Sequence, residues 1–148
     1  MKRFISFVLL FCILMVPTAF ASVIEEIPED AIAVNNGMYI VGENFPSGSY
    51  TFCIDLNEPG IKEQIAVNDE IDAAKDRERY KNEHVAVGAL MFLYKDYQTM
   101  LDDSNGHNGQ SFYADGKLDY HIVLIDGMSM RISLYAVSKG YLVPDKID

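Results

Sequence analysis

Three histidines, His84, His107 and His121, carry the metal-ligating and general-base potential of this chain. They are widely spaced. No His-x-His or His-x3-His pair sets two imidazoles on one face, so a zinc site would have to be assembled by the fold. The plain reading is three polar side chains on strands or at the surface. Asp102-Asp103-Ser104-Asn105-Gly106-His107-Asn108-Gly109 is the run richest in oxygen ligands, and Ca²⁺ takes roughly six to eight oxygens from flexible loops. Counting back from Gly106 puts Leu101 at the first ligand position of an EF-hand, where an aspartate is needed. A solvated turn over Asp102–Asn108 is the simpler expectation, and a cation loop is its alternative.

Nucleophiles are equally sparse. Cys53 falls on the polar face of its expected strand, where an inert, partly covered thiol competes with a reactive or intermolecularly paired one. No Gly-x-Ser-x-Gly occurs, and Pro46-Ser47-Gly48 lacks the strand-to-helix elbow that exposes a nucleophilic serine. Phosphate-binding loops are absent. A glycosidase needs two carboxylates about 5–10 Å apart, but 22 acidic residues make some such pair unavoidable, so their number is uninformative. No catalytic, cofactor-binding or metal-ligating set can be assigned.

Of the nine tyrosines, Tyr39, Tyr50, Tyr94, Tyr97, Tyr113, Tyr120, Tyr135 and Tyr141 lie on or beside expected strands. Tyrosine is a good strand former, which accounts for them without a ligand. Exposed on a sheet, the same rings can stack on sugars or fill a protein interface.

The remaining composition limits the function classes. The chain has 148 residues, one domain's length, with 12 basic and 22 acidic residues and a formal net charge of −10. Nucleic-acid binding needs a clustered basic surface to displace phosphate counterions, so that class is excluded. Hydrophobic residues make up 49% of the chain, which supports a packed core and excludes global disorder.

Lys2 and Arg3 precede an apolar stretch from Phe4 to Val16, then Pro17 and Thr18, then Ala19-Phe20-Ala21. A positive start, an apolar core and small residues at −3 and −1 are the parts of a secretory signal peptide. Residues 1–21 are read as that peptide, cleaved after Ala21. The core is shorter than the roughly 20 residues of a membrane-spanning helix. An acylated Cys12 would follow Phe11, too large for lipoprotein processing. Cleavage removes two cations and no acid, so the net charge becomes −12 and Cys53 is left without an intramolecular partner. No asparagine begins an Asn-x-Ser/Thr acceptor, which fits a bacterial envelope or secreted protein.

Residues 22–30 read as a flexible acidic lead, and 31–148 as a single β domain with an insertion at about 61–84. Ala31–Val34 and Met38–Val41 flank Asn36-Gly37, a type I′ hairpin signal. Ser49–Leu56 alternates Tyr50, Phe52, Ile54 and Leu56 against Ser49, Thr51, Cys53 and Asp55, the pattern of a half-buried strand. Asp69–Asn82, with Asn68 as N-cap, reads as a solvated helix. Val85–Tyr94 reads as a buried strand and Lys95–Leu101 as a short helical turn. Gln110–Ala114, Lys117–Ile125 and Met128–Ala136, joined by Asp115-Gly116 and Asp126-Gly127, read as a meander of hairpins. Gly140–Val143 would pair at an edge, stopped by Pro144.

The stretch from Val41-Gly42-Glu43-Asn44-Phe45-Pro46-Ser47-Gly48 through Tyr50 resembles a V-G-x-D-I-P-A-G-x-Y module of small exported bacterial proteins of unassigned function. Leu124-Ile125-Asp126-Gly127-Met128-Ser129-Met130 is similar to the apolar Asp-Gly element that follows it in them. Here Asn44, Phe45 and Ser47 replace aspartate, isoleucine and alanine, which keeps the turn chemistry. Pro46 fixes φ, and Phe45 is expected to anchor the loop in the core. The resemblance implies a small β-sandwich-like module and carries over no catalytic residue.

The expectation is therefore a mostly β, antiparallel sandwich-like domain with a short helical insertion, exported to the envelope or beyond. Its expected role is non-catalytic binding or interaction, with protein or glycan partners, no nucleic acid and no stable membrane insertion. The alternatives are a secreted hydrolase of an envelope or extracellular polymer and a subunit of a surface assembly. The first predicts a pocket with converging, perturbed carboxylates or histidines, and the second an unpaired apolar edge.

Overall fold

A computed structural model describes residues 23–75 and 77–146. The expected signal peptide, residues 1–21, and its expected cleavage site lie outside the described residues. Eight strands run in the order β1 (Ile32–Val34), β2 (Gly37–Ile40), β3 (Gly48–Ile54), β4 (Gly88–Tyr94), β5 (Gln110–Ala114), β6 (Tyr120–Leu124), β7 (Ser129–Tyr135) and β8 (Gly140–Pro144). Helix α1 (Ile61–Ala74) separates β3 from β4, and α2 (Tyr97–Asp102) separates β4 from β5. No described helix is long and apolar enough to cross a membrane.

Two antiparallel four-stranded sheets form, β1-β8-β3-β6 and β2-β7-β4-β5. Their inner faces meet in one core that includes Phe52, Met91, Leu124, Met130 and Leu142, all essentially inaccessible. The expected sandwich is thus observed. Its connectivity is not the expected one.

β1 and β2 lie in different sheets, as do β5 and β6, and β6 and β7. None of the three Xaa-Gly dipeptides closes a hairpin, and there is no meander. Each turn carries the chain from one layer to the other. The physical reason is that alternating strands bury one face each, and the same alternation serves paired neighbours or opposed layers. Gly127 still supplies the positive φ expected of it, at 88°. Its turn is fastened to β2's end, where Gly127 N–H donates to the Val41 carbonyl and Val41 N–H to that of Met128 (3.0 and 2.9 Å).

Other expectations need correction. β8 sits between β1 and β3, not at an edge; Pro144 is tolerated because it occupies the last paired position, opposite Tyr50. β3 is buried on both faces from Tyr50 to Ile54, so Thr51 and Cys53 are covered. The helix spans 61–74 and not 69–82. Pro59-Gly60 precede it, Lys75 ends it in the left-handed region, and Asn68 lies mid-helix instead of capping it. Its register is set by Ile61 and Ile65, one turn apart against the core, more than by the charge-rich stretch that follows.

Between β2 and β3 the loop expectation holds. Phe45 is buried, Asn44 Oδ1 accepts the Ile40 N–H (2.7 Å), and the Tyr50 hydroxyl donates to the Pro46 carbonyl (2.8 Å). An aspartate at 44 would accept the same bond. The acidic lead, expected to be loose, is tied at two points. Ile24 N–H donates to Asp119, and Asn57 to the Glu25 carbonyl (2.5 and 2.7 Å).

Asp119 is only 6% exposed, and burial pushes its carboxyl above the ordinary range despite the Ile24 N–H. A carboxyl raised in the folded state stabilises the fold below its unfolded pKa, and that contribution is lost as pH rises through the folded pKa. The melting temperature of Asp119→Asn relative to wild type is therefore expected to move in the variant's favour by a few degrees between about pH 4 and about pH 8. A difference that does not change with pH contradicts this.

Candidate functional site

The insertion folds back so that helix α1 and the 77–87 segment enclose a cleft beside the end of β5. Two amides stitch the walls together. Gln64 donates to the Glu83 carbonyl (2.9 Å), and Asn68 both donates to the Val85 carbonyl and accepts its N–H (2.7 and 3.2 Å). Ile61, Ile65, Asn68 and Asp72 recur at the spacing of one helix face, which puts the isoleucines on the core and the polar pair on the cleft. The cleft has a volume of about 210 Å³, with Asn68, Asp72, Arg77, His84, Tyr113 and Lys117 among its walls.

Each cation bordering the cleft is matched by an acid. Arg77 Nε is 2.6 Å from Asp72 Oδ1, and His84 Nε2 is 3.4 Å from the same oxygen. The Arg77 hydrogen bond holds the Asp72 carboxyl below the ordinary range. Lys117 pairs with Asp69, which raises its ammonium pKa. Asp115 accepts the backbone N–H groups of Lys117 and Leu118 (2.9 and 3.2 Å) and so fixes the turn. No serine, threonine or cysteine lines the cleft. Its polar walls, Asn68, Asp72, Arg77, His84 and Lys117, can hydrogen-bond a polar ligand.

Tyr113 forms one wall, its hydroxyl donating to the Val87 carbonyl (2.9 Å). Its ring meets that of Tyr135 edge-on, with centroids 6.1 Å apart, on the outer face of the second sheet. Tyr135 is 39% exposed. The other strand tyrosines are less open: Tyr50 and Tyr94 are buried, and the Tyr39 hydroxyl bonds to Asn35. No local pattern in the sequence marked this pairing, because the sheet order brings it about, with β5 and β7 flanking β4.

His121 lies elsewhere, on the outer face of the first sheet. Thr51 Oγ1 donates to Asp145 (2.8 Å) and lies 3.0 Å from His121 Nδ1, while the Ser49 hydroxyl donates to Asp145 as well. Serine, histidine and aspartate thus meet without making a triad, since the serine proton is directed at the carboxylate and not at the imidazole. Burial alone would raise the Asp145 carboxyl, but the Ser49 and Thr51 hydroxyls and His121 hold it below the ordinary range. The cluster fastens β8's end to β3 and β6.

The Asp102–Asn108 loop is not a plain solvated turn. Asp103 is buried and accepts the N–H groups of His107 and Asn108, both at 2.9 Å. Two guanidinium nitrogens of Arg131 donate to the carbonyls of Met100 and Asp103 (3.0 and 3.2 Å). The loop oxygens therefore face a resident cation, the arginine. His107 contributes its backbone to this fold-back. Among the described residues no group of three or more His, Cys, Asp or Glu is placed to hold a metal.

Cys53 is fully buried, and burial, with Asp119 and Asp55 nearby, pushes its thiol up to about 12. It has no thiolate character at neutral pH. The three histidines are not brought together. No family model matches the chain, and no curated protein or solved structure matches it.

Proposed function

We propose that the chain is an exported, non-catalytic binding module acting at the cell envelope or outside the cell, with the cleft and the Tyr113–Tyr135 pair as its ligand surface. The observation that carries this reading is the position of Tyr113, which is at once a wall of the cleft and half of the exposed ring pair. A glycan suits both parts: the apolar face of a sugar packs against an aromatic ring, and its hydroxyls bond to amide and carboxylate groups such as Asn68 and Asp72. Export rests on Lys2, Arg3, the apolar core and Ala19-Phe20-Ala21. The hydrolase alternative predicted a pocket with converging, perturbed carboxylates or histidines, and the cleft does bring His84 to Asp72. The binding reading is preferred because Arg77 holds the Asp72 carboxyl down, the opposite of the raised carboxyl of a general acid.

Titration of the full chain with peptidoglycan fragments and chitin oligosaccharides tests the reading. Tyr135→Ala is expected to weaken binding about tenfold with the melting temperature nearly unchanged, because the ring is exposed and at the rim of the sheet. Release of new reducing ends during the titration would contradict the non-catalytic part. Binding indifferent to Tyr135 would contradict the surface.

A further inference from the structure

Among the described residues the three most exposed large apolar side chains are Val123, Ile125 and Leu118, at 64, 61 and 54%. All three lie on or just beside β6. Among the described residues that strand pairs with β3 on one side and with no strand on the other. Natural edges are blunted by lysine, proline, a bulge or a cover. Tyr120–Leu124 contains no lysine and no proline, and its pairing with β3 runs without a bulge. Ile122 and Leu124 face the core, so His121, Val123 and Ile125 alternate outward along the free edge.

Charge selects the occupant. Asp126 is exposed just past one end of the strand and Asp145 lies 3.4 Å from His121 towards the other, in a chain of formal net charge −10. Asp119 is buried against the Ile24 N–H and presents no charge at the edge. A second copy brought edge to edge would carry the same acidic groups and the same net charge to the seam, which disfavours it. A strand with basic ends meets the same carboxylates favourably.

We propose that the free edge of β6 docks an extended segment of a partner protein, with alternating apolar side chains and basic ends, added as a fifth strand to the first sheet. Main-chain hydrogen bonds supply affinity, and contacts along Val123 and Ile125 supply register. This surface is separate from the cleft and does not depend on its ligand.

The test uses the full chain and two synthetic peptides of alternating valine and threonine, one with paired lysines at each end and one with paired glutamates. The basic peptide is expected to protect the amides of residues 120–125 from hydrogen exchange, and the acidic peptide to leave them unprotected. Val123→Lys, at an exposed position, is expected to keep the melting temperature and weaken the basic peptide at least about tenfold. No protection at 120–125 overturns the proposal, and so does binding that Val123→Lys leaves intact, which would be general adhesion to an acidic surface. Concentration-dependent protection of these amides without peptide also overturns it, in favour of a second copy.

Discussion

Replacing Gly88 by alanine is expected to destabilise the fold by about 3–5 kcal/mol and to disturb the cleft. Gly88 opens β4 with φ of 147°, a region that side-chain-bearing residues rarely adopt. A Cβ there would stand 2.5 Å from the Ala114 carbonyl oxygen and 3.0 Å from the Tyr113 ring. The first obstacle is backbone of the neighbouring strand β5, which cannot rotate away as a side-chain end can. Two costs therefore combine: about 1–3 kcal/mol for the backbone conformation and a similar amount for overpacking. Relief by moving β5 would displace Tyr113, so ligand binding should weaken along with stability. Chemical denaturation of the variant checks this. A loss below about 1 kcal/mol contradicts the close approach of β4 and β5 at this point.

Arg131→Met is expected to cost about 2–3 kcal/mol, concentrated in one region. Methionine keeps much of the apolar stem but removes the guanidinium, whose carbon lies over the Tyr94 ring, 6.0 Å from its centroid. It removes both charge-assisted bonds to the Met100 and Asp103 carbonyls. Those acceptors are then left against a sheet face that offers them no other donor of this kind. Helix α2 and the following loop should loosen first, because Arg131 ties them to β7. Hydrogen exchange is expected to accelerate over residues 97–109 well before the core strands respond. Uniform acceleration, or none, contradicts the role given to this arginine.

Much of the fold was legible where a residue's local chemistry leaves one outcome. Phe45, Pro46 and Tyr50 define the β2–β3 loop through a buried ring and a hydroxyl-to-carbonyl bond four residues apart. Alternation located β3 and β7, and a short apolar run located β4. What alternation cannot contain is the identity of the partner strand, so Asn36-Gly37, Asp115-Gly116 and Asp126-Gly127 were legible as turns but not as crossings between layers. The helix was misplaced because its charged C-terminal half drew attention from Ile61 and Ile65, whose spacing marks the buried face. Asp103 looked like one more ligand in an oxygen-rich run; its carboxylate is instead taken up by the His107 and Asn108 N–H groups, and its backbone carbonyl by Arg131, 28 residues on in β7. The cleft was not legible at all, since its walls come from α1, the 77–87 segment, β5 and the turn after it.

The role proposed for Tyr113, Tyr135 and the adjoining cleft is that of a binding surface without catalytic action. The most direct measurement is amide chemical-shift mapping of the full chain during titration with peptidoglycan fragments, with product release followed in the same samples. Saturable shifts are expected, centred on residues 113, 135 and the 68–72 face of α1, with the fragments recovered unchanged. Shifts centred elsewhere, no saturable shifts at all, or cleavage of the fragments would contradict it.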